Sequence, residues 1–446
     1  MSARTHERTR GTSSHRQALL SAMSVYLTAP FFSELDSWER RSQPLRWSLQ
    51  ALHFTALLMI YATDEALQDR FKAARRCVIE MFPQRRRPGK TYQGFIKAQN
   101  RLGPQAVAAL KDHLRGHHRR VAGQFWERWG WVPFACDGSR VEVPRTTRNQ
   151  ALGCAGRKKT GPQLFVTTLY HMGTGLPWDW CIGKGTESER DHLRVMLAKL
   201  PPGSLVVADA GFTGYTLMRA MLAAGLSFLI RAGSNVSLLT DLDCQVGSDG
   251  QTVWLWPGKR RRTTPPLKLR LIRLKRADRQ GREMCLLTNV FDRQRLPDET
   301  AAILYRMRWG VELFYRSYKQ TLRQRKLRSD APQQARWELH WGITALLLLG
   351  LMSVEAIVSR GRDPLSLSVA QALRVVRQAM RSPRRERCSR LGVRLAEAVR
   401  DEYHRQSSKK AHDWPHKKKD PLPGTPKIRP ATEKESRLAQ ELCDAA

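Results

Sequence analysis

Apolar residues recur at helical spacing through the first quarter of the chain. Intervals of three and four residues separate the members of the series Leu67, Phe71, Ala74, Val78 and Met81. An earlier series from Leu45 to Met59 has the same spacing, which places one apolar stripe along each helix. We predict from this pattern a helical domain over residues 1–120, with exposed faces rich in Arg and His.

From residue 131 onward, short apolar runs alternate with turns and with helical stretches. The apolar runs predict strands over residues 131–136, 163–171, 178–182, 204–208 and 227–231. Helical spacing predicts helices over residues 187–200 and 215–224. Three strands, a helix, a strand, a helix and a strand indicate an α/β fold with a mixed sheet, in a domain over residues 121–380.

A β-rich insertion is predicted over residues 232–298, inside this domain. Apolar and basic residues alternate from Leu267 to Lys275, and the alternation slips at Leu271 and Ile272, which predicts a bulged strand with one wet face. A long amphipathic helix follows over residues 299–325. The apolar run from Trp341 to Val354 is short for a membrane span and predicts a buried core helix.

The charge balance indicates which kind of binding partner to expect. Lys and Arg number 77 against 40 Asp and Glu, a net charge of +37, while 41% of the 446 residues are hydrophobic. That hydrophobic share supports folded cores and excludes a mainly disordered basic protein. A field of this sign attracts phosphates, so nucleic acid is the first partner to consider and anionic membrane the second. The basic excess continues over residues 381–446, where we predict a partly disordered C-terminal region.

Other sequence features exclude several classes of protein. The N-terminal Arg-rich stretch lacks the apolar segment of a signal peptide, so we expect a cytoplasmic protein that does not enter the membrane. The eight cysteines include no Cys-x-x-Cys pair, which argues against a zinc site and a disulfide framework.

Two aspartates follow predicted buried strands. Asp137 comes directly after residues 131–136, and Asp209 comes directly after residues 204–208. Active sites of α/β sheets are commonly built at strand ends. Asp before a small residue or glycine is also common as a turn residue, and for either aspartate alone that interpretation is the better one.

A stripe of charged and aromatic residues lies on the helix after the insertion. Its members are spaced Tyr-x2-Arg-x3-Glu-x6-Lys, which puts Tyr305, Arg308, Glu312 and Lys319 on one helix face. The alternative is a solvated face on which Arg308 and Glu312 form an ion pair worth a few tenths of a kcal/mol.

These motifs together resemble a known family. The segment from Tyr305 to Gln320, followed by Leu327-Arg328-Ser329, looks like the signature of DDE transposases of the fourth insertion-sequence family. Asp137-Gly138-Ser139 and Asp209-Ala210-Gly211-Phe212 match the first and second acidic motifs of that family. The resemblance covers about residues 131–355 and implies a ribonuclease H-like core.

The resemblance implies a catalytic and metal-binding set of Asp137, Asp209 and Glu312. Carboxylates suit two Mg²⁺ ions, with Mn²⁺ as a substitute, and two ions suit in-line displacement at phosphorus. Asp137 is expected to bridge both ions, with Asp209 and Glu312 each completing one side. DNA contacts are expected from the residues Tyr305, Arg308, Arg316 and Lys319 and from Arg157, Lys158 and Lys159.

Basic residues 259–262 of the insertion are further candidates for DNA contact. Family members can also stack a flipped base on an aromatic residue of the insertion, for which Trp254 and Trp256 are the candidates. Their alternate spacing favours burial in the insertion instead.

The leading hypothesis is a bacterial cut-and-paste transposase, associated with the nucleoid. It is expected to bind the terminal inverted repeats of its element as a homodimer, with end recognition by the N-terminal helical domain, and to join the ends to target DNA. One alternative is a catalytically silent DNA-binding protein derived from such an element. Another is a two-metal nuclease that cuts without strand transfer.

Overall fold

The fold is described from a computed structural model. It describes residues 13–38, 47–155, 161–242, 251–258, 261, 263–275, 283–381, 385–386, 389–401 and 424–444.

A mixed sheet crosses the molecule and has ten strands within the described residues. In sheet order these strands are β12 (Lys427–Pro430), β7 (Ser237–Thr240), β8 (Thr252–Leu255), β9 (Leu267–Lys275), β10 (Glu283–Thr288), β6 (Ser227–Ala232), β5 (Ser204–Ala208), β2 (Val132–Glu142), β3 (Gln163–His171) and β4 (Leu176–Lys184). The β2–β5, β5–β6 and β7–β12 pairs are parallel, and the other pairs are antiparallel. Two-residue strands β1 (Ser13–Ser14) and β11 (Arg385–Glu386) pair separately. The predicted mixed α/β fold is confirmed.

Helices precede the sheet, cover it and close the chain. Their bounds are α1 (His15–Ser24), α2 (Ala29–Trp38), α3 (Leu49–Tyr61), α4 (Leu67–Met81), α5 (Tyr92–Gln99), α6 (Pro104–Gly116), α7 (His118–Ala122), α8 (Glu189–Met196), α9 (Tyr215–Ala223), α10 (Asp298–Met307), α11 (Trp309–Arg316), α12 (Pro332–Val358), α13 (Val369–Arg381), α14 (Ser389–Ala396) and α15 (Glu433–Asp444).

The long helix α12 is the centre of the larger hydrophobic core. Its side chains are apolar almost all round, which is typical of a helix buried on every side. The N-terminal helices pack on it, and Tyr61 donates a hydrogen bond to the carbonyl of Ala345 at 2.7 Å. By length and composition α12 could cross a membrane, but 83% of its most apolar window is buried inside the protein. It therefore packs here as the predicted core helix.

The two faces of the central strands meet different cores. Ala135 and Val207 face the core built on α12, whereas Cys136 and Ala208 face a second core with α8 and α9. This alternation follows from the two-residue repeat of a strand. The alternation determines on which face of the sheet the side chain of each following residue lies.

The predicted insertion extends the main sheet through β7, β8, β9 and β10. The predicted bulge at Leu271 and Ile272 is wrong, because β9 pairs with β10 in a regular register from Arg270 to Lys275. Both faces are covered at the slip, and Arg270 is only 2% exposed. Its guanidinium donates to the carbonyl of Leu296 at 2.9 Å and pairs with Asp298 at the start of α10. Burial of an Arg, rather than a bulge, explains the sequence pattern.

The end of the chain returns to the sheet. Strand β12 pairs with β7, and α15 packs Ala439 against Trp254 and Trp256. The residues 424–444 of the predicted partly disordered region thus form regular structure, because Ile428, Leu438 and Leu442 supply apolar contacts. The three-domain division stays a prediction.

Candidate active site

Asp137 and Asp209 lie side by side where the parallel pairing of β2 with β5 ends. Cys136 of β2 is paired with Ala208 of β5, and each aspartate is the next residue in the chain. The strand alternation places both side chains on the face that carries α11 and α12. Two distant segments of sequence thereby meet at one edge of the β2–β5 pair.

The prediction that Asp137 follows a strand end is wrong. Strand β2 continues to Glu142, paired with β3 alone after Cys136, because β5 ends at Ala208 and the chain turns into a short 3-10 helix. Asp137 therefore lies within a strand at the point where its other neighbour ends. That position gives the carboxylate both a rigid backbone and an open side.

Helix α11 brings Glu312 to the same place. The helix packs against β2 and β3, with Val311, Phe314 and Tyr315 buried. The Tyr315 hydroxyl donates to the carbonyl of Asp137 at 2.9 Å and also lies 2.9 Å from the Thr168 hydroxyl. Tyr315 is one turn after Glu312, so this contact fixes the helix that carries the third acid directly to the strand that carries the first.

The charges of the three acids act on one another. Burial raises the pKa of Asp137 to about 7, and the negative charges of Asp209 and Glu312 act in the same direction. The positive charge of Arg308 and a hydrogen bond from the backbone at Gly138 oppose this rise. The three carboxylates therefore share one electrostatic environment.

Arg308 lies among the acids. Burial alone would lower the pKa of its guanidinium, yet the negative charges around it, those of Glu312, Asp137 and Asp209 included, raise that pKa above its ordinary value. Its Nη2 donates to Glu312 Oε1 at 3.0 Å, and its guanidinium lies 5.6 Å from the centre of the Tyr305 ring. The ion pair that the sequence left as an alternative is formed, and it is half-buried at the site rather than on a solvated face.

Tyr305 and Lys319 complete the predicted stripe. Tyr305 is 8% exposed, and burial raises the pKa of its hydroxyl, while a hydrogen bond with Arg231 acts to lower it. Lys319 lies in a π-helical turn over Ser317–Thr321, where the negative charges of Asp137 and Glu142 reach it. Such turns often occur at functional sites. The predicted single helix over residues 299–325 is thus α10, α11 and this turn, and Arg316 is exposed on it.

Comparison with known proteins bears on this arrangement. The transposase DDE domain family matches residues 132–348 of the chain. Transposase InsG of insertion sequence element IS4 from Escherichia coli (strain K12) is 26% identical over 287 residues, which are 61% of this chain and 62% of InsG. Both matches support a DDE transposase of the IS4 family.

A second curated relative is also a transposase by name. The putative transposase y4zB from Sinorhizobium fredii (strain NBRC 101917 / NGR234) is 30% identical over 172 residues, 36% of this chain and 46% of y4zB. The chain thus spans about half to three fifths of the length of these curated relatives. A piggyBac transposase synaptic complex with hairpin DNA aligns with a TM-score of 0.44 at 13% identity, over 91% of each chain.

Asp137, Asp209 and Glu312 offer the oxygen ligands that hard divalent cations prefer. Asp137 is a buried carboxyl with a pKa near 7, so a cation beside it would be stabilising. In the described part of the chain, no group of three or more His, Cys, Asp or Glu side chains is already arranged to hold a metal ion. The Glu312 carboxylate is held by Arg308, so Glu312 would have to exchange partners before it could hold an ion beside the aspartates. The three carboxylates fit a hard cation by their donor chemistry.

Other predicted DNA contacts have different outcomes. Arg157, Lys158 and Lys159 lie outside the described residues, as do three of the four residues at 259–262. The fourth, Arg261, pairs with Glu435 of α15. Trp254 and Trp256 are 5% and 2% exposed, so burial is their role here, as their spacing favoured.

Two residues near the site were missed by the sequence analysis. Trp309 is 56% exposed at the start of α11, next to Arg308. The carboxylate of Glu189, in the first turn of α8, reaches the glycines that follow Asp137 and Asp209. The available signal for Glu189 was its place at the start of a predicted helix. That signal does not distinguish it from an ordinary helix-capping acid.

Proposed function

We propose that this chain is a cut-and-paste DNA transposase, which binds the terminal inverted repeats of its element and catalyses metal-dependent DNA cleavage and strand transfer. The observation that carries the proposal is the convergence of Asp137, Asp209 and Glu312 around Arg308 within the transposase DDE domain. A set of acids beside a buried cation is suited to phosphoryl transfer, which depends on positioning and charge stabilisation.

We assign the catalytic core to the ribonuclease H-like folds. The order β4-β3-β2-β5-β6 supports this, since three antiparallel strands are followed by two parallel strands that are reached through helices. In this assignment Asp137 lies on β2 and Asp209 directly follows β5, its parallel neighbour. In this proposal residues 1–120 bind DNA, residues 121–380 catalyse, and the basic residues 381–446 form the C-terminal region.

The proposed cofactor is a pair of Mg²⁺ ions, for which Mn²⁺ can substitute. Asp137 would contribute to both ions, and Asp209 and Glu312 would each hold one. Such ions stabilise charge on the attacking and leaving oxygens of a phosphodiester. This requirement explains why the chain supplies carboxylates at three points rather than histidines or cysteines.

The cationic residues have a separate proposed role on the DNA backbone. A phosphate that approaches α11 competes with Glu312 for the guanidinium of Arg308. Binding of DNA would thus free Glu312 from its ion pair and place Arg308 on the phosphate, so that substrate binding assembles the acidic site. Lys319 and Arg316 would hold neighbouring phosphates, which positions the strand without reading its sequence. The hydroxyl of Tyr305 would orient Arg231 and the same backbone.

The proposed partners are the two ends of the element and target DNA, held by a homodimer in the bacterial cytoplasm. Exposed basic residues between α4 and α5, at positions 85–87 and 90, support DNA contact by the N-terminal helices. Affinity should fall steeply with salt, because each phosphate contact releases counterions.

The test is to incubate the full chain with DNA that carries the element ends, in Mg²⁺ and in Mn²⁺. We expect nicking at the ends and joining to target DNA, both lost in Glu312→Gln. Glu299→Gln is the matched control, since Glu299 is an exposed acid on the preceding helix α10. Cleavage without joining would favour the nuclease. Specific binding with no cleavage by the wild-type chain would favour the silent DNA-binding protein.

A further inference from the structure

We propose that Glu189 is a fourth carboxylate of the active site and shares a divalent cation with Asp209. The inference rests on the proposed function and adds to its three acids a residue that comes from the opposite side of the sheet. It is based on the position of the carboxylate, on the two glycines that make room for it and on the contacts that hold its helix.

The carboxylate of Glu189 occupies the space that side chains at residues 138 and 211 would need. A Cβ atom on Gly211 would lie 2.9 Å from Glu189 Oε1 and 3.0 Å from Asp209 Oδ1. A Cβ atom on Gly138 would lie 2.8 Å from Glu189 Oε2. One carboxylate thus reaches both the residue after Asp137 and the loop after Asp209. An oxygen of Glu189 and an oxygen of Asp209 therefore border the same point beside Gly211, on which the proposed shared ion is based.

The helix that carries Glu189 is fixed to the site by two residues that follow Glu189. Arg190 Nε donates to the carbonyl of Gly211 at 2.6 Å, which ties α8 to the Asp209 loop. His192 Nδ1 lies 2.9 Å from the hydroxyl of Thr167 on β3. The position of Glu189 is therefore built by its neighbours and does not depend on a flexible side chain that happens to point inward.

The charge of Glu189 is poorly compensated. Burial raises the pKa of its carboxyl, and the charge of Asp209 raises it further, against the opposing charges of Arg140 and Arg190. Among the described residues, no hydrogen bond or ion pair of its carboxylate is found. A half-buried carboxylate in this position is costly unless a cation is shared with it.

Capping of α8 is the simpler role for an acid in the first turn, and the chain offers a control for it. Asp191 lies in the same turn, pairs with Arg194, and its side chain is 64% exposed. A capping role predicts similar effects of Glu189→Gln and Asp191→Asn on helix stability, and no effect of either on metal affinity. A metal-ligand role predicts instead that Glu189→Gln weakens metal affinity and that Asp191→Asn does not.

The experiment is a titration of the full chain with Mn²⁺, with and without end-containing DNA, followed through the electron paramagnetic resonance signal of the free ion. We expect Glu189→Gln to weaken one Mn²⁺ site at least about tenfold, as loss of supporting groups at metal sites commonly does. Asp191→Asn should bind as the wild-type chain does. Glu189→Asp keeps the charge in the first turn of α8 but shortens the side chain by one methylene; it should also weaken binding, and it provides a second variant if Glu189→Gln folds poorly.

Equal Mn²⁺ affinity in the wild-type chain, Glu189→Gln and Glu189→Asp would overturn the inference and leave the three-acid proposal intact. Loss of Mn²⁺ binding in Glu312→Gln but not in Glu189→Gln would overturn it as well. If the wild-type chain binds no Mn²⁺ even with DNA present, the proposed function itself fails, and this inference with it.

Discussion

Replacing Tyr315 by phenylalanine removes one hydroxyl group from the contact between α11 and β2. That hydroxyl lies 2.9 Å from the carbonyl of Asp137, 3.2 Å from the carbonyl of Val166 and 2.9 Å from the hydroxyl of Thr168. All of these contacts are partly or fully buried, so the partners lose a hydrogen bond that water does not readily replace. We expect a loss of about 1–3 kcal/mol in the free energy of unfolding.

The same substitution should affect catalysis more than folding. Tyr315 is one turn from Glu312, and its hydroxyl is the direct polar link from that helix to the backbone of Asp137. A displacement of about 1 Å at a reacting centre can reduce a rate by about 100-fold. We therefore expect end cleavage to fall by up to about that factor, while binding to end-containing DNA is retained. Urea unfolding gives the stability and a gel assay of cleaved ends gives the rate.

Tyr318 supplies the matched control three residues later. Its ring is 1% exposed, and its hydroxyl has no hydrogen-bond partner among the residues that the structure describes. Tyr318→Phe removes a buried polar atom that makes no bond, so it should leave stability unchanged or increase it. If Tyr315→Phe and Tyr318→Phe have the same stability and the same cleavage rate, the reasoning about the Tyr315 contact is refuted.

Three further predictions concern pH and the C-terminal segment. Burial lowers the pKa of His171 from 6.5 to about 3, so between these pH values the unfolded chain binds a proton that the folded chain does not. The free energy of unfolding should therefore decrease as pH falls from about 6.5 to about 3, and it should decrease less steeply in His171→Gln. Equal slopes in the two proteins would show that the buried histidine is not neutral. Burial raises the pKa of Asp137 from 3.8 to about 7, so the folded chain favours the protonated carboxyl. The contribution of Asp137 to the free energy of unfolding is therefore present at low pH and is lost as pH rises through 7. In EDTA, thermal melts at pH 8 should show Asp137→Asn more stable than the wild-type chain, and a lower midpoint would contradict this. Deletion of residues 424–444 should shift tryptophan emission to longer wavelength, because α15 covers Trp254 and Trp256, and an unchanged spectrum would count against that packing.

The sequence predicts the central strands well, for a physical reason. Strands β3 and β5 begin and end as predicted, because every residue of both strands is buried and turn residues bound both runs. The prediction is less accurate for β2, which continues past Cys136 through polar residues. Pairing with β3 alone holds that extension, and such pairing depends on a partner that is distant in sequence.

Some residues of the candidate site could be predicted from the sequence, and one could not. Asp137, Asp209 and Glu312 could be predicted because each lies in a recognisable local motif, and their assignment as catalytic residues stays a prediction. Glu189 could not be singled out, since its importance comes from the space above Gly138 and Gly211 in the folded chain. The strand at residues 427–430 was missed because its basic and proline-rich composition resembles that of a disordered tail.

The last strand of the sheet is also the last to be made. Strand β12 seals the outer edge of β7, a segment synthesised nearly 190 positions earlier, and until it arrives that edge offers unpaired amide and carbonyl groups. A nascent chain therefore carries an open edge until residues 427–430 have been made. A chain that stops before these residues would expose that edge, which invites pairing with other chains, so we expect such truncated products to aggregate.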